Sequence, residues 1–225
     1  MEKLDEALFE RVVEWAVAHT GEEGILAARR VFEQRTGPIE QGDSDFESRM
    51  GHFFEQWLCE SADAPSLIER YASEAVPPDD ALRQLAGWHR SHRALLEFED
   101  FREGFGRVRD LILGGRYRFL PGPRDRELAR GDRFDGRLVP GTSQLWLGPG
   151  RVYHPRAAFL ALDKLLLDPA ARALPASDLL DGLLRMRSRF MRFESIKPEH
   201  VYSADGLTEA AFAAPWASPA RRRHS

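Results

Sequence analysis

Apolar side chains recur at steps of three and four through the first 93 residues, the spacing of helices that bury one face. Leu4, Leu8, Val12, Trp15 and Ala16 mark the first helix. Thr20 followed by Glu23 has capping-box spacing and predicts a second helix through Ile25, Leu26, Val31 and Phe32, stopping before Gly37-Pro38. Ser44 and Glu47 repeat that spacing ahead of the broadest stripe in the chain, Phe46, Met50, Phe53, Phe54, Trp57 and Leu58. A short helix is expected after Pro65, through Leu67, Ile68 and Tyr71. Pro77-Pro78-Asp79 breaks the chain and opens another helix, with Leu82, Leu85, Trp88 and His92 on one side.

The period changes after residue 93. Leu95, Leu96, Phe98 and Phe101 begin a glycine-rich segment of short apolar runs. Residues 107–110 and 116–119 alternate polar and apolar, as half-buried strands do, and Gly114-Gly115 reads as the hairpin turn between them. Phe134, Leu138 and Val139 predict a further strand; Leu145, Trp146 and Leu147 predict another, ended by Gly148-Pro149-Gly150. Five such strands make a meander or a small barrel.

Helical spacing returns near Pro155 with Ala158, Phe159, Leu162, Leu165 and Leu166. A break at 169–175 precedes a long helix from about Ser177, with Leu179, Leu183, Met186, Phe190 and Phe193 on its apolar side, ended by Lys197-Pro198. The expected class is α+β: a helical region over 1–93, a small antiparallel β unit over 94–155, C-terminal helices over 156–203 and a mobile tail over 204–225. The interleaved faces suggest one cooperative unit.

Composition narrows the chemistry. The single cysteine, Cys59, rules out an intramolecular disulfide and a Cys-rich zinc site. Its place beside Trp57-Leu58 marks it as a small core residue rather than a nucleophile. The acidic start MEKLDEALFE is not the pattern of a signal peptide, and no stretch approaches 18 apolar residues, so a reduced cytoplasm is the expected compartment and no membrane is expected as a partner. Arginine outnumbers lysine 29 to 3, through genome composition or through selection for bidentate anion recognition. The net charge of −4 divides as −9 over 1–93, +3 over 94–156 and +2 over 157–225. No segment is basic enough to demand nucleic acid.

A two-residue turn at Gly114-Gly115 would pair Leu113 with Arg116 and Ile112 with Tyr117. It would gather Val108, Ile112, Tyr117 and Phe119 on one face and Arg107, Arg109, Arg116 and Arg118 on the other. Four guanidiniums on one sheet suit an anionic partner; the alternative is a solvated face with each arginine paired to an acidic neighbour. Arg185, Arg189 and Arg192 form a second stripe on one helix face, with Asp181 spaced to pair with Arg185. The alternatives there are an ordinary exposed helix face or an RNA or acidic-protein contact. His89 and His92, like His52 and Glu55, have i, i+3 spacing without a third metal ligand nearby, so no metal and no cofactor is assigned. The sequence contains no nucleophile elbow, P-loop or dinucleotide fingerprint, and Gly141-Thr142-Ser143 falls in a turn. No catalytic residues are assigned.

Several features in order resemble bacterial proteins of the SEC-C-associated type, many of which end in a SEC-C zinc motif. They are Phe54-x-x-Trp57-Leu58, Leu67-Ile68-Glu69-Arg70-Tyr71, Trp88-x-x-Ser91 leading into Leu96-Glu97-Phe98, Val108-Arg109-Asp110-Leu111, Gly131-Asp132 and Arg137-Leu138-Val139-Pro140. The resemblance covers about residues 46–156. It implies a Phe-x-x-Trp helix followed by a small β unit and implies no catalytic residues. The zinc motif does not carry over, because residues 207–225 contain no cysteine. The leading functional expectation is a non-catalytic interaction or adaptor protein with a protein partner. The alternatives are RNA binding through the arginine face, and an enzyme whose site assembles only in three dimensions.

Overall fold

The computed structural model describes residues 5–60, 65–193 and 196–207. They fall into two compact units, one comprising those within 5–30 and 39–156, the other those within 31–38 and 157–207. Among the described residues no helix is long and apolar enough to cross a membrane.

Helix α1 (Glu6–Thr36) is two helices joined across a kink at Gly21, where φ 68 and ψ 173 leave helical space. The division expected at Thr20 is therefore present, but its cause is the glycine. The Thr20 hydroxyl donates back to Ala16 O at 2.8 Å instead of capping Glu23. In α2 (Phe46–Cys59) the N-cap is Asp45, with no side-chain cap bond, so the Ser44–Glu47 pattern makes no cap. The true capping box opens α3 (Leu67–Glu74): Ser66 Oγ accepts from the Glu69 N–H, and Glu69 Oε2 accepts from the Ser66 N–H at 2.8 Å. Helix α4 (Asp79–His89) starts directly after Pro78.

The extended chain begins at His92, which places His92 at the head of β1 (His92–Arg102) and off the helix that carries His89. Glu103 and Gly104, with φ 54 and 79, make a two-residue turn into β2 (Phe105–Asp110). The next hairpin, to β3 (Arg116–Phe119), has a longer loop than expected. The register pairs Arg109 with Arg116 and Val108 with Tyr117, so Leu113 and Ile112 lie in the turn. The Asp110 carboxylate causes this by accepting the N–H groups of Ile112 at 2.8 Å and Leu113 at 3.0 Å, while Gly114, with φ 79, donates back to Asp110 O.

Strands β4 (Arg133–Pro140), β5 (Leu145–Leu147) and β6 (Val152–Tyr153) complete a six-stranded sheet of order β1-β2-β3-β5-β4-β6. Pairing of β1 with β4 closes the first five into a barrel, and β3 meets β5 in parallel. The unit is therefore a closed barrel with one parallel contact, not a purely antiparallel meander. Leu96, Phe98, Val108, Phe119, Phe134, Leu138 and Leu147 form one buried cluster of these strands. Gly106 lies opposite Phe119, and a Cβ there would collide with the ring. A second core joins the helices to the barrel through Leu8, Val12, Leu58, Ile68, Trp88 and Val139.

In the other unit, α5 (Phe159–Leu167) is followed by a short α6 (Pro169–Arg172) inside the expected break; Asp168 caps it by accepting the Ala170 N–H at 2.8 Å. Helix α7 (Ala176–Arg192) buries Leu179, Leu183 and Met186, and ends before Phe193. After α8 (Pro198–Val201), residues Ala204–Leu207 form a 3-10 turn with Leu207 buried. Residues 208–225 lie outside the described residues.

Candidate functional site

Ladder register puts Arg107 opposite Arg118 and Arg109 opposite Arg116, so all four guanidiniums share a sheet face as expected. Each also meets a carboxylate. Arg107 holds Asp100 by two bonds, one of them Nε to Oδ1 at 2.6 Å. Arg109 donates to Glu97 at 3.0 Å, Arg116 donates to Glu99 at 3.0 Å, and Arg118 lies 3.7 Å from Glu103 while stacking over the Phe105 ring at 4.6 Å. Arg133 from β4 takes the other oxygen of Glu97 at 2.8 Å. The hydrogen bond from Arg107 pulls the Asp100 carboxyl below its ordinary range. This face is an alternating-charge ladder, and its acidic half comes from β1 and the Glu103-Gly104 turn. Tyr117 is half-buried and Trp146 is buried, so neither is presented as a stacking platform.

The α7 stripe is not a solvated face. Arg185 is buried and donates to Gln34 O at 2.6 Å, and Arg192 donates to Pro38 O at 3.2 Å, so both serve carbonyls at and just past the end of α1. Asp181 pairs with Arg35 at 2.5 Å rather than with Arg185. Only Arg189 of the three is exposed.

A sealed ionic cluster lies where α2 covers β1 and β4. Arg93 clamps Asp135 with Nε to Oδ1 at 2.8 Å and Nη2 to Oδ2 at 2.6 Å. His52 sets Nδ1 at 3.2 Å from Gly150 O and Nε2 at 3.6 Å from Asp135. Burial, then the charge of Arg93, drives its imidazole down to about 3, so it is neutral. Glu55 accepts the Gly150 N–H at 2.6 Å, and its other oxygen is 4.0 Å from Arg137 Nε. Burial pushes its carboxyl up to about 8 against the pull of Arg137. Arg137 in turn pairs with Glu60 and donates to Ser91 Oγ at 3.1 Å. Burial raises the Cys59 thiol to about 11, which suppresses the thiolate a nucleophile needs. His52 and Glu55 thus do meet charged partners, but these come from strands rather than from nearby sequence.

His89 lies 3.5 Å from Glu69, and the His92 ring sits tilted 5.8 Å from that of Tyr117, so the two do not converge. Among the described residues no group of three or more His, Cys, Asp or Glu side chains could hold a metal ion.

The same loop that contacts Glu55 borders a cavity of about 610 Å³. Leu120, Trp146 and Leu147 give it apolar walls, and Arg124, Arg126 and Arg151 bring guanidiniums. Arg151, itself buried, is paired with Asp125 at 2.6 Å. Asp125 also accepts the Gly122 N–H at 2.6 Å, and burial raises its carboxyl. No local spacing announces this cavity, because its walls come from the start of α1, the β3–β4 connection, β5 and the loop after it.

Compared with family models, curated proteins and solved structures, the chain matches none.

Proposed function

We propose that the protein is a non-catalytic interaction protein that meets a protein partner through the charge ladder on β1, β2 and β3. The observation that carries this reading is the pairing of Arg107, Arg109, Arg116 and Arg118 with Asp100, Glu97, Glu99 and Glu103. Four positive and four negative groups leave little net field to draw a polyanion, whose phosphates would also meet the four carboxylates. A protein surface carrying both signs can match such a ladder without that repulsion. The buried cluster supports the same reading, because Glu55, His52 and Asp135 are shut away from any substrate. The resemblance to SEC-C-associated proteins, which brings no catalytic residues, is compatible with it.

A second reading, RNA binding, is favoured by one observation. A closed five-stranded barrel crossing from β3 to β5 is the architecture of oligonucleotide- and oligosaccharide-binding folds, whose strand 2–3 face receives the ligand. The argument is an analogy of fold. One pair of experiments separates the readings. Wild-type protein and the R107A/R109A/R116A/R118A variant are each used to capture partners from lysate treated with nuclease, and each is titrated with single-stranded RNA in a filter-binding assay. A protein recovered by wild type and lost with the variant is expected. Retention of RNA that falls steeply with salt and vanishes in the variant would overturn the first reading in favour of the second. No arginine-dependent capture of either kind would sink both.

A further inference from the structure

We propose that the cavity beside Trp146 binds a small organic anion with a flat or apolar body. Its volume of about 610 Å³ suits such a ligand, since small-molecule sites run from roughly 300 to 1,000 Å³. Its walls combine an indole, two leucines and prolines with a few charged groups, the mixture that holds an apolar body and orients one polar end.

The sign of that polar end follows from which hydrogen-bonding groups remain unspent. The acidic groups of the cavity are engaged. Asp125 sets Oδ1 2.6 Å from Arg151 Nη1 in an ion pair that lacks hydrogen-bond geometry, and accepts the Gly122 N–H through Oδ2. Asp5 faces Arg11 at 3.4 Å, and Glu6 faces Arg124 at 3.8 Å. The donors are in surplus. A guanidinium carries five N–H groups, and the pairs just described occupy only part of the donors of Arg151 and Arg124. Arg126 is exposed at the same cavity and makes no ion pair or hydrogen bond with the described residues. Trp146 is buried, and its indole N–H has no acceptor among them. Each carboxylate of the cavity already has a cation beside it, whereas Arg126 has no anion and the Trp146 N–H no acceptor among the described residues, so the cavity favours a ligand that brings a negative charge and acceptors. A carboxylate or a phosphate on a planar or apolar frame supplies them. This inference is independent of the charge ladder, which shares no residue with the cavity.

Isothermal titration with indole-3-acetate, phenyl phosphate and the uncharged indole-3-ethanol tests it. At least one of the two anions is expected to bind with a Kd below about 1 mM and about tenfold or more tighter than the alcohol. Which anion wins tells carboxylate from phosphate. Arg126→Ala, at an exposed side chain, is expected to weaken that anion about fivefold with an unchanged melting curve. Ala7→Trp, at an exposed position on the cavity wall, is expected to fill the cavity and abolish binding. If neither anion is preferred over the alcohol, or if both folded variants bind as wild type does, the inference is wrong. Should Ala7→Trp fail to fold, the Arg126→Ala result decides alone.

Discussion

Arg93 grips Asp135 through two parallel N–H···O bonds between adjacent strands, with both side chains almost wholly excluded from water. The direct cross-strand neighbour of Arg93 is another arginine, Arg137, so Asp135 is what lets two cations lie side by side beneath α2. Removing the carboxylate strands a buried guanidinium. Asp135→Ala is expected to cost about 3–5 kcal/mol in urea unfolding, and R93M/D135L to recover much of that loss. A cost under about 1 kcal/mol for Asp135→Ala would show that the clamp does not stabilise the pairing of β1 with β4.

Glu55 and His52 tie stability to pH in opposite directions. The Glu55 carboxyl rises from 4.5 unfolded to about 8 folded, so the folded state binds the extra proton and stability falls as pH climbs through that window. His52 drops from 6.5 to about 3, so the unfolded state binds the extra proton and stability falls as pH descends through that window. Between 4.5 and 6.5 the two slopes cancel. The urea midpoint should therefore be level there, then fall above pH 6.5 with a slope approaching about 1.4 kcal/mol per pH unit. Glu55→Gln should remove the alkaline limb and leave stability rising with pH between 4.5 and 6.5, where only the His52 slope remains. An alkaline limb that persists in Glu55→Gln would assign it to another group.

Gly150 is caught between Glu55, which takes its N–H, and the α2 backbone, where an added Cβ would collide with His52 and Gly51. Backbone cannot step aside as a flexible side-chain end can. Gly150→Ala is expected to destabilise by about 1–3 kcal/mol. Gly42→Ala, where a Cβ meets nothing, serves as the control with a change near zero. Equal effects at the two glycines would remove the steric argument.

Arg185 and Arg189 are one helical turn apart on α7 and should respond differently to truncation. Arg185 satisfies Gln34 O from a buried position, so Arg185→Ala leaves a carbonyl without its donor and is expected to cost about 1–3 kcal/mol. Arg189 is exposed, and Arg189→Ala is expected to stay within about 0.5 kcal/mol. Thermal melts of the two variants check this, and matching melts would contradict the assignment.

Much of the architecture is written in short-range pattern. The change of period near residue 93, the helix stripes and the α+β class need only the sterics of one strand or one turn, and they appear where the spacing places them. The grouping of Arg107, Arg109, Arg116 and Arg118 survived a wrong turn, because alternation along each strand assigns the face while the turn only slides one strand along the other. What short-range pattern could not carry is the partner of each group. Glu97 lies opposite Arg109 in the ladder, the register shift after Phe98 brings Asp100 opposite Arg107, and Glu103 forms the turn between the strands. Ser66 rather than Thr20 or Ser44 became a capping box, because similar spacings compete and packing selects among them. Barrel closure, the Glu55–Gly150 and Arg93–Asp135 bonds and the cavity walls all join residues distant in sequence. Their free energy comes from burial and charge pairing that exist only once the chain has closed, so tertiary structure alone decided them.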